Sequence, residues 1–98
     1  MNRGFPFLLN IGFGHFVPVS TIIGIFNAEN SDVIMENVHI NETIFIADNR
    51  PVKSYIYCIG GYLVGSPIEA KTLKKRYEEF QNIMNGQSDD ETLYIRKK

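Results

Sequence analysis

The 98-residue chain has one cysteine, no tryptophan, two histidines and, between Arg3 and Glu29, no formal charge of either sign. A single cysteine, Cys58, excludes an intrachain disulfide. With no export segment in view, the expectation is a protein of the reducing cytoplasm. His15 and His39 have no second ligand at metal spacing nearby, so no metal site is readable, and no cofactor is expected. No nucleophile and base stand in a pattern that announces a catalytic site, and a chain this short offers little room for a pocket, so the expectation is not an enzyme. No small-molecule substrate is identified.

A long apolar run is missing too. A membrane-spanning helix needs roughly 20 predominantly apolar residues and an export signal about 7 to 15 followed by a small-residue cleavage site. Pro6, Asn10, Gly12, Gly14, His15, Pro18, Ser20 and Thr21 interrupt the uncharged region, so no membrane partner is expected. Gly12-Phe13-Gly14 could open a dinucleotide fingerprint, but the third glycine would fall at Val17 and no strong helix follows. What remains is short segments rich in Phe, Val and Ile broken by Gly and Pro, which reads as buried strands with a bend over Leu8–Gly12, Phe16–Val19 and Thr21–Phe26.

The length fits one domain, and 44% hydrophobic residues fit a packed core. Residues 1–86 are taken as that domain and 87–98 as a flexible or assembly-ordered tail. The formal charge of -1 hides a segregation. Residues 4–49 carry five acids and no Lys or Arg, whereas residues 50–76 carry Arg50, Lys53, Lys71, Lys74, Lys75 and Arg76 against Glu69 alone. Gathered on one surface, those six cations would make a basic patch on a slightly acidic protein.

After the opening strands, Ser31 can cap a short helix, and Glu42–Ala47 reads as a strand. Asp48-Asn49-Arg50-Pro51 reads as a tight turn, and Lys53–Ile59 as the returning strand of a hairpin. Gly60-Gly61 signals a second hairpin into residues 62–65, completing an antiparallel meander. Ser66, Pro67 and Glu69 form a capping box for a helix whose stripe is Ala70, Leu73, Tyr77, Phe80 and Ile83, closed at Gly86. The expected fold is α+β: a small antiparallel, strongly bent sheet of about five to six strands with a C-terminal amphipathic helix.

The basic residues are the chemical lead. Arg50 and Lys53, with Asn49 beside them, can project from an exposed turn toward phosphates, although such residues also serve simply to solubilise a loop. Lys71, Lys74 and Lys75 share a helix face, and the acids Glu78 and Glu79 that follow suggest ion pairing there.

The segments "NIGFG" (10–14), "VSTIIGIF" (19–26), "RPVKSYIY" (50–57) and "SPIEAKTLKKR" (66–76), in this order and spacing, resemble the small bacterial regulators of extracellular matrix genes, RemA and RemB. The first segment is more like the A branch, the second and last more like the B branch. The resemblance implies a compact α+β domain that assembles into closed homo-oligomeric rings and, for the A branch, a DNA-binding activator of biofilm matrix operons. The uncharged stretch would then be sheet core and subunit contact, its glycines bending the strand.

Carried over by position, the basic tip falls on Arg50 to Lys53, with Pro51 where the A branch has a further cation. Another arginine of that branch falls on Thr21. Each missing phosphate contact weakens binding and lowers its salt slope by roughly one. Repetition around a ring offsets the loss by avidity. The resemblance therefore implies a ring-forming DNA-binding regulator with Asn49, Arg50, Lys53 and Thr21 at its DNA-binding surface. The alternative is an oligomeric scaffold or protein-interaction ring without DNA binding.

Overall fold

The computed structural model describes residues 7–47 and 49–85. In chain order they form β1 (Leu8–Gly12), β2 (His15–Pro18), β3 (Ile22–Asn27), α1 (Ser31–Asn37), β4 (Glu42–Phe45), β5 (Ser54–Cys58), β6 (Tyr62–Ser66) and α2 (Ala70–Asn85). Single 3-10 turns at Val19–Thr21 and Ala28–Asn30 join β2 to β3 and β3 to α1. The expected helix stop at Gly86 and the tail 87–98 lie outside the described residues.

The class is α+β and the six strands are where the patterning puts them, but they do not make one antiparallel sheet. β1 and β2 form a separate two-stranded ribbon, and the other four form a mixed sheet in the order β3-β5-β6-β4. Nor is the sheet strongly curled. The physical reason lies in residues 18–21. Pro18 has no N–H with which to extend a ladder, and the 3-10 turn after it redirects the chain before β3 begins, so the change of direction occurs between sheets. Register shifts between Asn10 and Gly12 and between Ile22 and Gly24 absorb the remaining irregularity as bulges.

The core forms where one face of each layer is apolar. Leu9, Ile11 and Val17 point inward from the ribbon, Ile25, Ile56, Cys58 and Val64 from the sheet, and Ala70 and Leu73 from α2. Tyr77 and Phe80 continue the helix stripe, and Phe80 packs on Phe7 with ring centroids 5.1 Å apart. Ile83, the last expected member of the stripe, lies beyond the sheet and is exposed. On β6, Leu63 faces the side opposite Val64 and is also fully buried, so both faces of that strand are covered. α1 begins at Ser31 itself, with Asn30 at the cap position and no side-chain capping bond.

The β5–β6 hairpin forms as its sequence dictates. Gly60 and Gly61 both have positive φ (93° and 82°), the pair of left-handed residues that the tightest hairpin turn demands. β4 is different. The expected β4–β5 hairpin does not exist: β4 pairs parallel with β6, Glu42 opposite Tyr62 through Phe45 opposite Gly65, and β6 lies between β4 and β5. The described residues of 46–53 therefore do not join neighbouring strands as a hairpin turn would. They cross the end of β6, a span of two inter-strand spacings or roughly 10 Å that a two-residue turn cannot bridge. Both ends of this crossover are fastened to β6: the Ile46 amide donates to the Gly65 carbonyl (3.3 Å) and the Lys53 amide to the Ser66 carbonyl (2.8 Å).

Ser66 is not the helix cap that its capping-box pattern suggests. It is the last residue of β6, fully buried, and α2 starts four residues later at Ala70. Its hydroxyl donates to the Ile11 carbonyl (2.7 Å) and accepts from the Ile68 amide (3.0 Å), tying the ribbon to the segment that leads into α2. Ser54, its cross-strand partner, donates to the Ile68 carbonyl (2.7 Å). Ser66→Ala leaves the buried Ile11 carbonyl without its donor and is expected to lower stability by about 1–3 kcal/mol, read as a shift of the urea midpoint at constant slope. An unchanged midpoint would mean that this hydroxyl holds nothing together.

Candidate nucleic-acid interface

Asn49, Arg50 and Lys53 all lie on the 46–53 crossover and are exposed. The crossover is local in its bonding only at a weak turn, Arg50 amide to Ala47 carbonyl at 3.5 Å, so its position comes from its two anchors on β6. The Lys53 carbonyl in addition accepts from the Ala28 amide (3.1 Å), which pins the base of the tip to the chain just after β3. The three tip residues are thus brought together on one rigidly rooted loop.

Beside this loop stands the β1–β2 turn. Gly12, Phe13 and Gly14 are consecutive residues with positive φ (109°, 53° and 74°). Phe13 is the one non-glycine residue in that region among those described, a placement that costs an ordinary side chain roughly 1–2 kcal/mol. Besides the bulge at Gly12, the two glycines turn one strand into the next and thrust the Phe13 side chain outward, 57% exposed. The Arg50 guanidinium carbon sits 5.2 Å from the centroid of the Phe13 ring, within cation–π range. Phe13, Ile46, Ala47, Asn49 and Arg50 line an open hollow of about 390 Å³ between turn and loop.

The turn is itself held from two sides. The Asn10 side chain accepts from the Gly12 amide (2.9 Å), and Arg76 of α2 donates through Nη1 to the Asn10 carbonyl (2.8 Å). Arg76 is therefore a tie between helix and turn, not a free member of a six-cation patch. Lys53 and Lys71 line a cleft of about 550 Å³ with Glu29 and Glu69, where the two signs offset one another. Lys74 belongs to a third hollow, beside Ile22–Ile25 of the β3 edge and in company with Glu78. The described cations are dispersed over several neighbourhoods, and Arg50 lies in its own, among Phe13, Ile46, Ala47 and Asn49.

Thr21 is not brought to this site within one subunit. Its carbonyl accepts the Ile59 amide (2.8 Å), at the end of β5 opposite Lys53, roughly 20 Å away at a strand's rise per residue. Its hydroxyl donates to the Pro18 carbonyl (2.7 Å). Burial pushes the Cys58 thiol up, with the neighbouring Thr21 side chain opposing the shift.

Sequence reasoning missed Phe13 and the Asn10–Arg76 tie. The signal was present in the Gly-x-Gly spacing, since a residue flanked by two left-handed glycines in a hairpin turn must project away from the ribbon.

Among the described residues no group of three His, Cys, Asp or Glu side chains could hold a metal, and no helix is long and apolar enough to cross a membrane. What the site offers is a cation set over the aromatic ring of the adjoining turn, a second cation three residues on, and an amide side chain, all three on an exposed loop. That set suits recognition of an anion. Comparison with known families gives this geometry its context: residues 8–77, from the first strand through the crossover and into the last helix, match the family described as RemA-like, extracellular matrix regulatory protein A-like. The chain belongs to the RemA-like family of extracellular matrix regulatory proteins.

Proposed function

We propose that this protein regulates extracellular matrix genes by binding double-stranded DNA as a closed ring of identical subunits, each presenting Arg50, Lys53 and Asn49 to the phosphate backbone. The observation that carries the reading is the anchored crossover, which holds two exposed cations at the end of the sheet in a member of a regulatory family. Arg50 offers a planar fork suited to a phosphate, Lys53 a point charge, and Asn49 a neutral donor. Thr21 contributes no charge and is not part of the proposed surface of one subunit. Contacts of this kind position DNA without reading its bases, so selectivity falls to the shape and bendability of the duplex.

Assembly is proposed from the apolar surface. Phe16 on the ribbon, Ile23 at the β3 bulge, Phe45 on β4 and Ile59 beyond β5 are exposed. β3 and β4 are the two outer strands of the four-stranded sheet, and uncovered edges beside exposed aromatic and branched side chains favour pairing with another copy. Two different edges meeting head to tail produce a ring when the rotation closes.

A scaffold ring without DNA binding is the second reading. It is favoured by Pro51 at the centre of the tip and by the two carboxylates that share the cleft of Lys53.

Light scattering after size exclusion is expected to give a mass several times the 11.2 kDa of one chain at micromolar concentration; a monomer would end the ring reading. Arg50→Ala and Lys53→Ala are each expected to weaken binding to unrelated duplexes alike. Each should lower the salt slope by roughly one per subunit engaged, with mass and melting temperature unchanged. Pro51→Arg should tighten binding and steepen that slope. If neither wild type nor Pro51→Arg binds duplex DNA at low salt while both remain assembled, the scaffold reading stands instead.

A further inference from the structure

The proposed DNA surface lies on the crossover. We infer that Phe13, on the β1–β2 turn, is the positioning residue of that surface: it holds the Arg50 guanidinium in a fixed plane for phosphate, so that the "NIGFG" turn and the crossover act as one binding unit. The inference rests on the DNA reading above and adds to it a residue and a mechanism.

Three observations converge on Phe13. It occupies a positive φ between two glycines, a conformation that a phenylalanine does not adopt for its own sake and that persists only where the surroundings impose it. Its ring is largely exposed and makes no contribution to the core cluster, so burial does not account for its place there. And the group found over its ring is the guanidinium of Arg50, 5.2 Å from the centroid.

Stacking is compatible with phosphate recognition because the two use different parts of the guanidinium. A ring that engages the face leaves the five N–H donors, which radiate from the edge in the plane, available for a two-pronged contact. An arginine on a free loop must lose side-chain freedom when it binds, whereas one already held on an aromatic face has lost part of it beforehand. This matters in a chain with Pro51 in the middle of its tip, since one well-held guanidinium then substitutes for part of what a second cation would supply. The support continues inward: the Gly12 amide to the Asn10 side chain, and Arg76 of α2 to the Asn10 carbonyl, fix the turn from which Phe13 projects.

The test uses the full chain, a fluorescent 30-base-pair duplex and three substitutions at one position, with mass and melting temperature recorded for each. Phe13→Tyr keeps the aromatic face and is expected to bind within about twofold of wild type. Phe13→Leu keeps apolar bulk without the face, and with Phe13→Ala is expected to bind roughly fivefold more weakly, the scale of an exposed cation–π contact. In an Arg50→Ala background the Phe13→Leu loss should vanish, because Phe13 acts through Arg50. A readout without DNA accompanies these: the Arg50 side-chain Nε–H proton resonance should be displaced upfield by the ring in wild type and Phe13→Tyr and return toward the free arginine position in Phe13→Leu. Wild-type affinity in Phe13→Leu, or an undiminished loss in the Arg50→Ala background, would overturn the inference while leaving the DNA reading intact. An intact upfield displacement in a wild type that binds no DNA would instead overturn the DNA reading, and with it any role of the contact in binding.

Discussion

Much of this structure depends on what the end of β6 is bonded to. Ser66 lies there fully buried, and four segments meet on it: the crossover through its carbonyl, the ribbon and the approach to α2 through its hydroxyl, and β5 as its strand partner. Gly65, one residue earlier, takes the other end of the crossover. A buried hydroxyl with both a donor and an acceptor role satisfied is worth more in a dry interior than at a surface, because either partner left alone bears its full desolvation cost. The sheet end is thereby made a fixed frame on which loops from three parts of the chain are set side by side.

The candidate interface follows from that frame. Parallel pairing of β4 with β6 forces residues 46–53 over the sheet end, and the Ser66–Ile11 bond keeps the end of β1 there as well. The loop bearing Arg50 and the turn bearing Phe13 consequently adjoin although they are 37 positions apart in the chain. Charge segregation along the sequence does not survive folding as one broad patch. Arg76 reaches across to a backbone carbonyl, Lys53 shares its cleft with Glu29 and Glu69, and Arg50 lies apart from both, beside Phe13 and Asn49. A surface of this kind is narrow in one subunit, and repetition is what would make it strong.

The legible and illegible parts of the fold divide along the range of the forces involved. Strand and helix positions are local consequences of period and punctuation: Leu8–Gly12, the Gly60-Gly61 turn and the Ala70, Leu73, Tyr77, Phe80 stripe could be read directly. Strand partners are not local. Asp48-Asn49-Arg50-Pro51 carries the composition of a tight turn, and nothing in residues 42–59 indicates that β6 will insert between the two strands it seems to join. Ser66 was misread for a related reason, since the capping-box pattern cannot report that a carbonyl 55 residues away will claim the hydroxyl. The loop cations were legible because exposure of Arg50 and Lys53 follows from their type and setting. The stacking of Arg50 on Phe13 was not, because it exists only once the crossover and the turn have been brought to the same sheet end.

The proposed function makes the sheet end bearing Arg50 and Lys53 a phosphate-binding surface repeated around an assembly. The most direct measurement is the dependence of wild-type affinity for a single A-T-rich duplex on salt concentration, taken under conditions in which the mass of the assembly stays constant. A linear fall of log K with log salt is expected. Its slope should correspond to about 0.9 per phosphate contact, summed over the cations of every subunit that touches the duplex, and should therefore exceed what the two cations of a single subunit could produce. Absence of binding at low salt by a protein that remains assembled would contradict it.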